Sequence, residues 1–207
     1  MELLKADDVV LGGYVLALPV VREPWQDSNL VPARFVTISR CFLADGTPHP
    51  EFYDWYIDRA EAEHARIRFA PAAELLAVGL SQEDAQLLKR DHASSTTWAE
   101  SEERESTEPS ALTLLSAGQS LPPDARILGF DVVGVEYGVS FSHSWLCYSY
   151  EAEVWGELRI RPNAEGLLPS YESAVEVLAW MDSRPAEKAP EPVPWTVVII
   201  ARCQPEH

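Results

Sequence analysis

The last apolar run of the chain, WTVVIIARC (Trp195 to Cys203), restricts the fold more than any other segment. It is a nearly continuous series of β-branched and small residues, without alternating polar positions. Such a composition is typical of a strand that other elements cover on both faces of a sheet. We therefore predict a sheet with further structure packed on each side of this strand.

Hydrophobic periodicity predicts the other elements. A strand or a hairpin is predicted over 9–21, and strands are predicted over 33–43, 125–137 and 142–155. A helix is predicted from Glu51 onward, with Phe52, Tyr56, Ala60, His64 and Ile67 along one stripe. Further helices are predicted over 70–80, ended by Gly79, over 81–93, capped by Ser81, and over 170–183, capped by Ser170. The buried stripe of the last helix is predicted to consist of Ala174, Val177, Leu178 and Met181. Together these elements predict an α+β fold, a mainly antiparallel sheet flanked by a few helices.

One stretch between the predicted elements has a different composition. Residues 94–110 are rich in Glu and Ser and contain little that could be buried, which is typical of a mobile acidic loop. We expect residues 1–207 to form one domain with this loop inside it. The alternative is an N-terminal lobe over 1–93 and a C-terminal lobe over 111–207.

The charge of the chain limits its partners. Sixteen Lys and Arg residues against 33 Asp and Glu residues give a net charge of −17. Such a chain repels nucleic-acid phosphates and anionic membrane surfaces, and its field speeds encounter with a basic protein. Solubility alone is the simpler explanation. The first residues, MELLKADDVV, lack the features of a signal peptide, and no apolar run approaches 18 residues, so we expect a cytoplasmic protein without membrane contact.

Cofactor and metal motifs are absent from the sequence. There is no glycine-rich phosphate loop and no CxxC pair. Glu61 and His64 have the spacing of a di-iron ligand pair, but no second such pair exists. Cys41, Cys147 and Cys203 each lie in apolar or aromatic surroundings, as buried unreactive thiols do. We expect neither a metal nor a cofactor.

The segment GVEYGVSFSHSWLCYSY (134–150) concentrates residues that carry chemistry. It lacks the G-x-S-x-G turn of a serine hydrolase. His143 and Cys147 would share a strand face but lie about 13 Å apart along it. Only a sharp bend would bring them together. Ordinary strand packing, a recognition surface and catalysis remain three alternatives, with catalysis the least favoured.

An acidic and aromatic face is the binding alternative. In a strand over 142–155, Trp145, Cys147, Glu151, Glu153 and Trp155 would point to the same side. Aromatic rings supply contact area, and carboxylates select Arg or Lys. A half-exposed sheet without a partner would show the same pattern. We expect Asp131 and Glu136 to lie one strand away.

Three motifs occur in order within residues 127–203: GFDVVGVE…HSWLC, then N-x-x-GLL (Asn163 to Leu168), then EPVPW before the last strand. In this order they resemble bacterial immunity-type proteins associated with polymorphic toxins. Members of such families bind and block a cognate toxin without catalysis. The resemblance implies binding roles for Asp131, Glu136, His143, Trp145 and Trp195.

The leading hypothesis is therefore a non-enzymatic protein that binds and blocks a basic partner, such as a toxin domain, through the acidic and aromatic face. The rival is a hydrolase or transferase whose site is built around His143, Cys147, Asp131 and Glu136.

Overall fold

The computed structural model describes the backbone of residues 8–42, 55–95, 111–136 and 140–204. Within these ranges the strands are β1 (Val9–Ala17), β2 (Val20–Val21), β3 (Arg34–Phe35), β4 (Glu74–Ser81), β5 (Arg126–Glu136), β6 (Ser140–Ser144) and β7 (Trp195–Arg202). The α-helices are α1 (Arg59–Phe69), α2 (Gln82–Ser95), α3 (Ala111–Ala117), α4 (Glu151–Leu158) and α5 (Tyr171–Asp182). Two short 3-10 helices span Trp145–Tyr148 and Ala186–Lys188.

Five strands form one sheet in the order β1-β4-β7-β5-β6, and every neighbouring pair is antiparallel. β2 and β3 pair separately as a two-stranded sheet. The predicted α+β class, a mainly antiparallel sheet flanked by helices, is confirmed.

The central strand is β7, between β4 and β5. Val198 and Ile200 pack into one core with residues of α2, whereas Val197 packs into the core that contains α5 on the opposite face. The prediction that this strand is covered on both faces is confirmed, because residues 197–201 are all fully buried.

Two strand predictions are wrong in extent. β3 covers only Arg34–Phe35 of the strand predicted over 33–43. The strand predicted over 142–155 ends at Ser144, where the chain turns into the 3-10 helix and then α4. The Ser144 side chain caps this turn by accepting a hydrogen bond from the Leu146 N–H at 3.3 Å. Because the chain turns here, the consecutive residues Trp145 and Leu146 are both buried in one core, which the alternating faces of a strand would prevent.

Two helix predictions need similar correction. Most of 70–80 is the strand β4 rather than a helix. Gly79 stands where an added Cβ would come within 2.7 Å of the Val9 side chain on β1, so this glycine permits close strand packing rather than ending a helix. The helix predicted from Glu51 onward begins at Arg59, and its buried residues are Ala62 and Ala65. Ala60, His64 and Ile67 of the predicted stripe are exposed, and Phe52 lies outside the described residues.

Both predicted helix caps are confirmed. Ser81 Oγ accepts a hydrogen bond from the Asp84 N–H at 3.0 Å, and Ser170 Oγ accepts one from the Ser173 N–H at 3.1 Å. In α5, Ala174, Val177 and Met181 are buried as predicted, and Leu178 is partly buried.

The sheet combines strands from both sides of the acidic stretch. β4 precedes residues 94–110 and hydrogen-bonds to β7, which follows them. Residues 96–110, nearly all of the predicted acidic loop, lie outside the described residues. Among the helices that the structure describes, none is long and apolar enough to cross a membrane.

Candidate functional site

Two segments far apart in the chain form a cleft lined by sulfur and imidazole groups. The segment after β3 contributes Cys41, and the end of β6 with the following 3-10 helix contributes His143 and Cys147. The cleft has a volume of about 440 Å³. Cys41 is exposed and Cys147 is half-buried, so reagents in solution can reach the first sulfur more easily than the second.

Local hydrogen bonds position Cys41. Ser39 is buried, and its Oγ accepts a hydrogen bond from the Cys41 N–H at 3.2 Å. The same hydroxyl lies 3.5 Å from Cys147 Sγ. Upstream, the Val36 N–H donates to Glu165 O at 2.8 Å and ties this segment to the loop before α5. Ser39 therefore links the backbone of one cysteine to the sulfur of the other.

The central contact joins Cys41 Sγ and His143 Nδ1 at 3.2 Å. His143 stands opposite Gly134 on β5, and its ring lies 6.4 Å from the Trp195 ring and 6.5 Å from the Tyr148 ring. A protonated Nδ1 at this distance donates a hydrogen bond to a thiolate, which stabilises the ionised form of the sulfur.

Cys147 adds a second sulfur to the same site. Its Sγ accepts a hydrogen bond from the Ser144 N–H at 3.3 Å, within the turn that Ser144 caps. A hydrogen bond with Cys147 lowers the pKa of the Cys41 thiol to about 5, and Ser39 and His143 act in the same direction while partial burial opposes them. The pKa of the Cys147 thiol is raised, because its proton is held in the hydrogen bond to Cys41 and because it is largely buried. The hydrogen bond between the two sulfurs therefore favours a thiolate on Cys41 and a thiol on Cys147.

A buried carboxyl group, that of Asp131, stabilises the turn that Ser144 caps. Asp131 on β5 is buried, and its Oδ1 accepts a hydrogen bond from Ser144 Oγ at 2.8 Å. Burial raises the pKa of Asp131 to about 7, although the hydrogen bonds from Ser144 and from the Val132 N–H oppose that rise. Asp131 thus holds the serine that caps the turn carrying Cys147.

The raised pKa of Asp131 makes stability depend on pH. Because this pKa is higher in the folded chain than in the unfolded chain, the stabilising contribution of the protonated form is complete below about pH 4 and is lost as the pH rises through about 7. We expect the free energy of unfolding to fall by roughly 1 kcal/mol between pH 6 and pH 8 from this group. Urea unfolding of the wild type and Asp131→Asn at both pH values measures it. The variant keeps an acceptor for Ser144 but does not titrate, so equal changes in the two proteins would contradict the assignment.

The expectation that Asp131, Trp145 and Glu151 are displayed on an outer face is wrong. All three are buried, and the Trp145 side chain has 0% of its surface exposed. Glu151 Oε1 accepts a hydrogen bond from the Asp27 N–H at 2.7 Å. Trp145 and Glu151 face inward because they lie in the 3-10 helix and in α4 rather than in a strand, so the alternation on which the outer face depended does not exist.

The remaining residues of the predicted face do not form one continuous surface. Glu153 is paired with Arg184, and Trp155 is 37% exposed beside the guanidinium groups of Arg159 and Arg161. Trp195 is half-buried next to His143. Glu136 is the last residue of β5, opposite Ser140, and its side chain lies outside the described residues.

Metal ligation has little support in the described part of the chain, where no group of three or more His, Cys, Asp or Glu side chains could hold a metal ion. Glu61 and His64 line a separate surface pocket on α1 with Tyr56, Arg68 and Phe69. The residues of the rival catalytic set are divided, because His143 and Cys147 reach the cleft while Asp131 is directed to Ser144.

Cys41 is the functional residue that sequence reasoning missed. It was expected to be a buried unreactive thiol, and the structure places it exposed beside an imidazole. Its separation from His143 is 102 residues, so no local motif could indicate the pair. The sharp bend that alone could bring Cys147 back toward His143 was considered but not predicted, although Ser144 as a capping residue is a signal for it.

No protein-family model matches this chain, and no curated protein or solved structure is significantly similar to it.

Proposed function

We propose that the protein is a dithiol–disulfide oxidoreductase in which Cys41 attacks a disulfide and Cys147 resolves the product. The observation that carries the proposal is the exposed Cys41 sulfur, 3.2 Å from His143 Nδ1 and hydrogen-bonded to the second cysteine. A thiolate is the reacting form of cysteine, and low-pKa thiols with a neighbouring resolving cysteine are typical of thiol exchange.

The first step transfers the substrate to Cys41. The Cys41 thiolate attacks one sulfur of a disulfide R–S–S–R, a Cys41–S–S–R bond forms, and the substrate S–S bond breaks to release RS⁻. The Cys41 sulfur is then neutral and no longer holds the Cys147 proton in an ionic hydrogen bond. The cause that raised the pKa of Cys147 is removed in part, which favours its ionisation.

The second step forms a disulfide between the two cysteines of the chain. Cys147 gives its proton to the departing thiolate or to His143, and its sulfur attacks Cys41. The Cys41–Cys147 bond forms and a second RS⁻ leaves, so that two electrons have passed from the dithiol to the substrate. Two equivalents of a low-molecular-weight thiol return the pair to its reduced form, becoming a disulfide themselves. The cytoplasmic setting expected from the sequence supplies such thiols.

Acyl transfer, the rival chemistry, receives less support from the same geometry. A hydrolytic cysteine needs a base that is itself oriented and donors for an oxyanion. Asp131, the carboxyl group expected to help, is bonded to Ser144. A second sulfur at hydrogen-bond distance has no role in acyl transfer, whereas thiol exchange requires one.

The test uses hydroxyethyl disulfide, a small neutral substrate. We expect the reduced wild type to lose two hydrogens and to yield, on peptide mapping, a Cys41–Cys147 disulfide. The Cys147→Ser variant should stop at a mixed disulfide on Cys41, because the resolving sulfur is missing. Cys203→Ser is the matched control, since this buried thiol lies outside the cleft, and it should behave as the wild type does. A wild type that accumulates only the mixed disulfide would contradict the proposal.

Capture of a basic protein, such as a toxin domain, is a second candidate. It is favoured by the net charge of −17 and by the exposed ring of Trp155 at the surface. The arginines beside that ring and the buried state of Trp145 leave a smaller contact face than the sequence predicted. If this function is correct, affinity for a basic toxin domain falls with Trp155→Ala and with added salt; an affinity unchanged by both would eliminate it.

A further inference from the structure

The cleft that contains Cys41, His143 and Cys147 has negatively charged side chains in its walls. Glu23 and Glu191 line it together with the two cysteines and His143, and no Lys or Arg is among its described lining residues. Among the described residues, neither carboxylate is in an ion pair. We infer, on the basis of the proposed oxidoreductase function, that the preferred substrate is a small disulfide that carries ammonium groups.

The aromatic side chains of the cleft suit the same substrate. Trp25 is 49% exposed and is stacked with Phe42 at 6.4 Å between ring centroids. Tyr148 lines the opposite segment beside His143. An aromatic face attracts an ammonium group, and Trp is the most effective ring for this contact. The carboxylates supply the charge and the rings supply a desolvated surface for the carbon chain between nitrogen and sulfur.

The size of the cleft favours a small molecule over a protein segment. A volume of about 440 Å³ lies in the range of small-ligand pockets. Cystamine, two aminoethyl groups joined by a disulfide, places each ammonium two carbons from sulfur. The reaction is the exchange already described, with aminoethanethiol as the leaving group in both steps.

The experiment compares three disulfides of similar length and different charge: cystamine, hydroxyethyl disulfide and 3,3′-dithiodipropionic acid. The rate of Cys41–Cys147 disulfide formation is measured with each, at low and at moderate salt, and divided by the rate of 2-mercaptoethanol with the same reagent. This division removes the intrinsic reactivity of each disulfide. We expect cystamine to react about tenfold faster than the neutral reagent and the anionic reagent about tenfold slower, with both ratios reduced by salt.

Two pairs of variants separate the cleft from the charge of the whole protein. Glu23→Gln with Glu191→Gln should remove most of the preference for cystamine. Glu83→Gln with Glu176→Gln changes the net charge equally at exposed positions on α2 and α5, and it should leave the preference intact. Equal losses in the two pairs would assign the preference to the overall field and overturn the inference.

The outcomes distinguish this inference from the function on which it rests. Reaction with all three disulfides at equal normalised rates overturns the cationic substrate and leaves the oxidoreductase standing. Failure of Cys41 to react with any of them overturns both. A disulfide-bonded basic peptide that reacts faster than cystamine would overturn the assignment to small molecules.

Discussion

A Cys41→Ser variant is expected to form no intramolecular disulfide and to lose at least nine-tenths of the wild-type rate of alkylation by iodoacetamide at pH 6. With a pKa of about 5, Cys41 is about 90% thiolate at that pH, whereas an ordinary thiol is about 0.3% ionised. This roughly 300-fold excess is offset by a roughly 40-fold lower reactivity per thiolate, since nucleophilicity falls with pKa. The wild type should therefore be labelled about tenfold faster than free cysteine.

The measurement is the pH dependence of labelling, read by mass spectrometry of the intact chain and of its peptides. In the wild type the rate should reach its plateau well below pH 8, because the depressed pKa keeps Cys41 ionised. His143→Ala should move the midpoint upward, since the hydrogen bond and charge that favour the thiolate are lost. Fast labelling that persists in Cys41→Ser would assign the reactive thiol to Cys147 or Cys203 and would contradict the mechanism.

Replacement of Trp145 by alanine is expected to lower the free energy of unfolding by about 3–5 kcal/mol. The ring is fully buried in the core that includes Val132, Leu168 and Val177, so truncation leaves a cavity there. For a chain of this length the loss corresponds to a fall in Tm of roughly 10 °C. Trp145 also begins the 3-10 helix that carries Cys147, so formation of the Cys41–Cys147 disulfide should slow as well.

Two tryptophan variants serve as controls for this prediction. Trp155→Ala removes a ring that is 37% exposed and should change stability far less. Trp145→Phe keeps most of the packing and removes an indole N–H that has no hydrogen-bond partner among the described residues, which offsets part of the lost contact. Thermal and urea unfolding provide the comparison. A Trp145→Ala variant as stable as Trp155→Ala would show that the ring is not part of the core.

The sequence predicted those elements whose patterns are local. The apolar run of β7 required cover on both faces wherever it was placed, because its side chains have no polar alternation. Ser81 and Ser170 could be recognised as caps from the residues that follow them, since a cap acts within one helical turn. The buried stripe of α5 follows from spacing alone.

Prediction failed where burial, not spacing, decided the conformation. The residues of β4 are as compatible with a short helix as with a strand, and its place between β1 and β7 selects the strand. Likewise, the alternating pattern of residues 142–155 predicts a strand. Burial of Trp145 and Leu146 in one core, together with the Ser144 cap, selects a turn instead.

The contacts of the candidate site could not be predicted from local sequence patterns. From the sequence by itself the α+β class, the strand covered on both faces and the helix caps were determined, because each depends on residues a few positions apart. Only the tertiary structure decided that Cys41 meets His143 and Cys147, since that contact closes a loop of more than a hundred residues. Its formation depends on how the cores pack, and no interaction between neighbours along the chain encodes it.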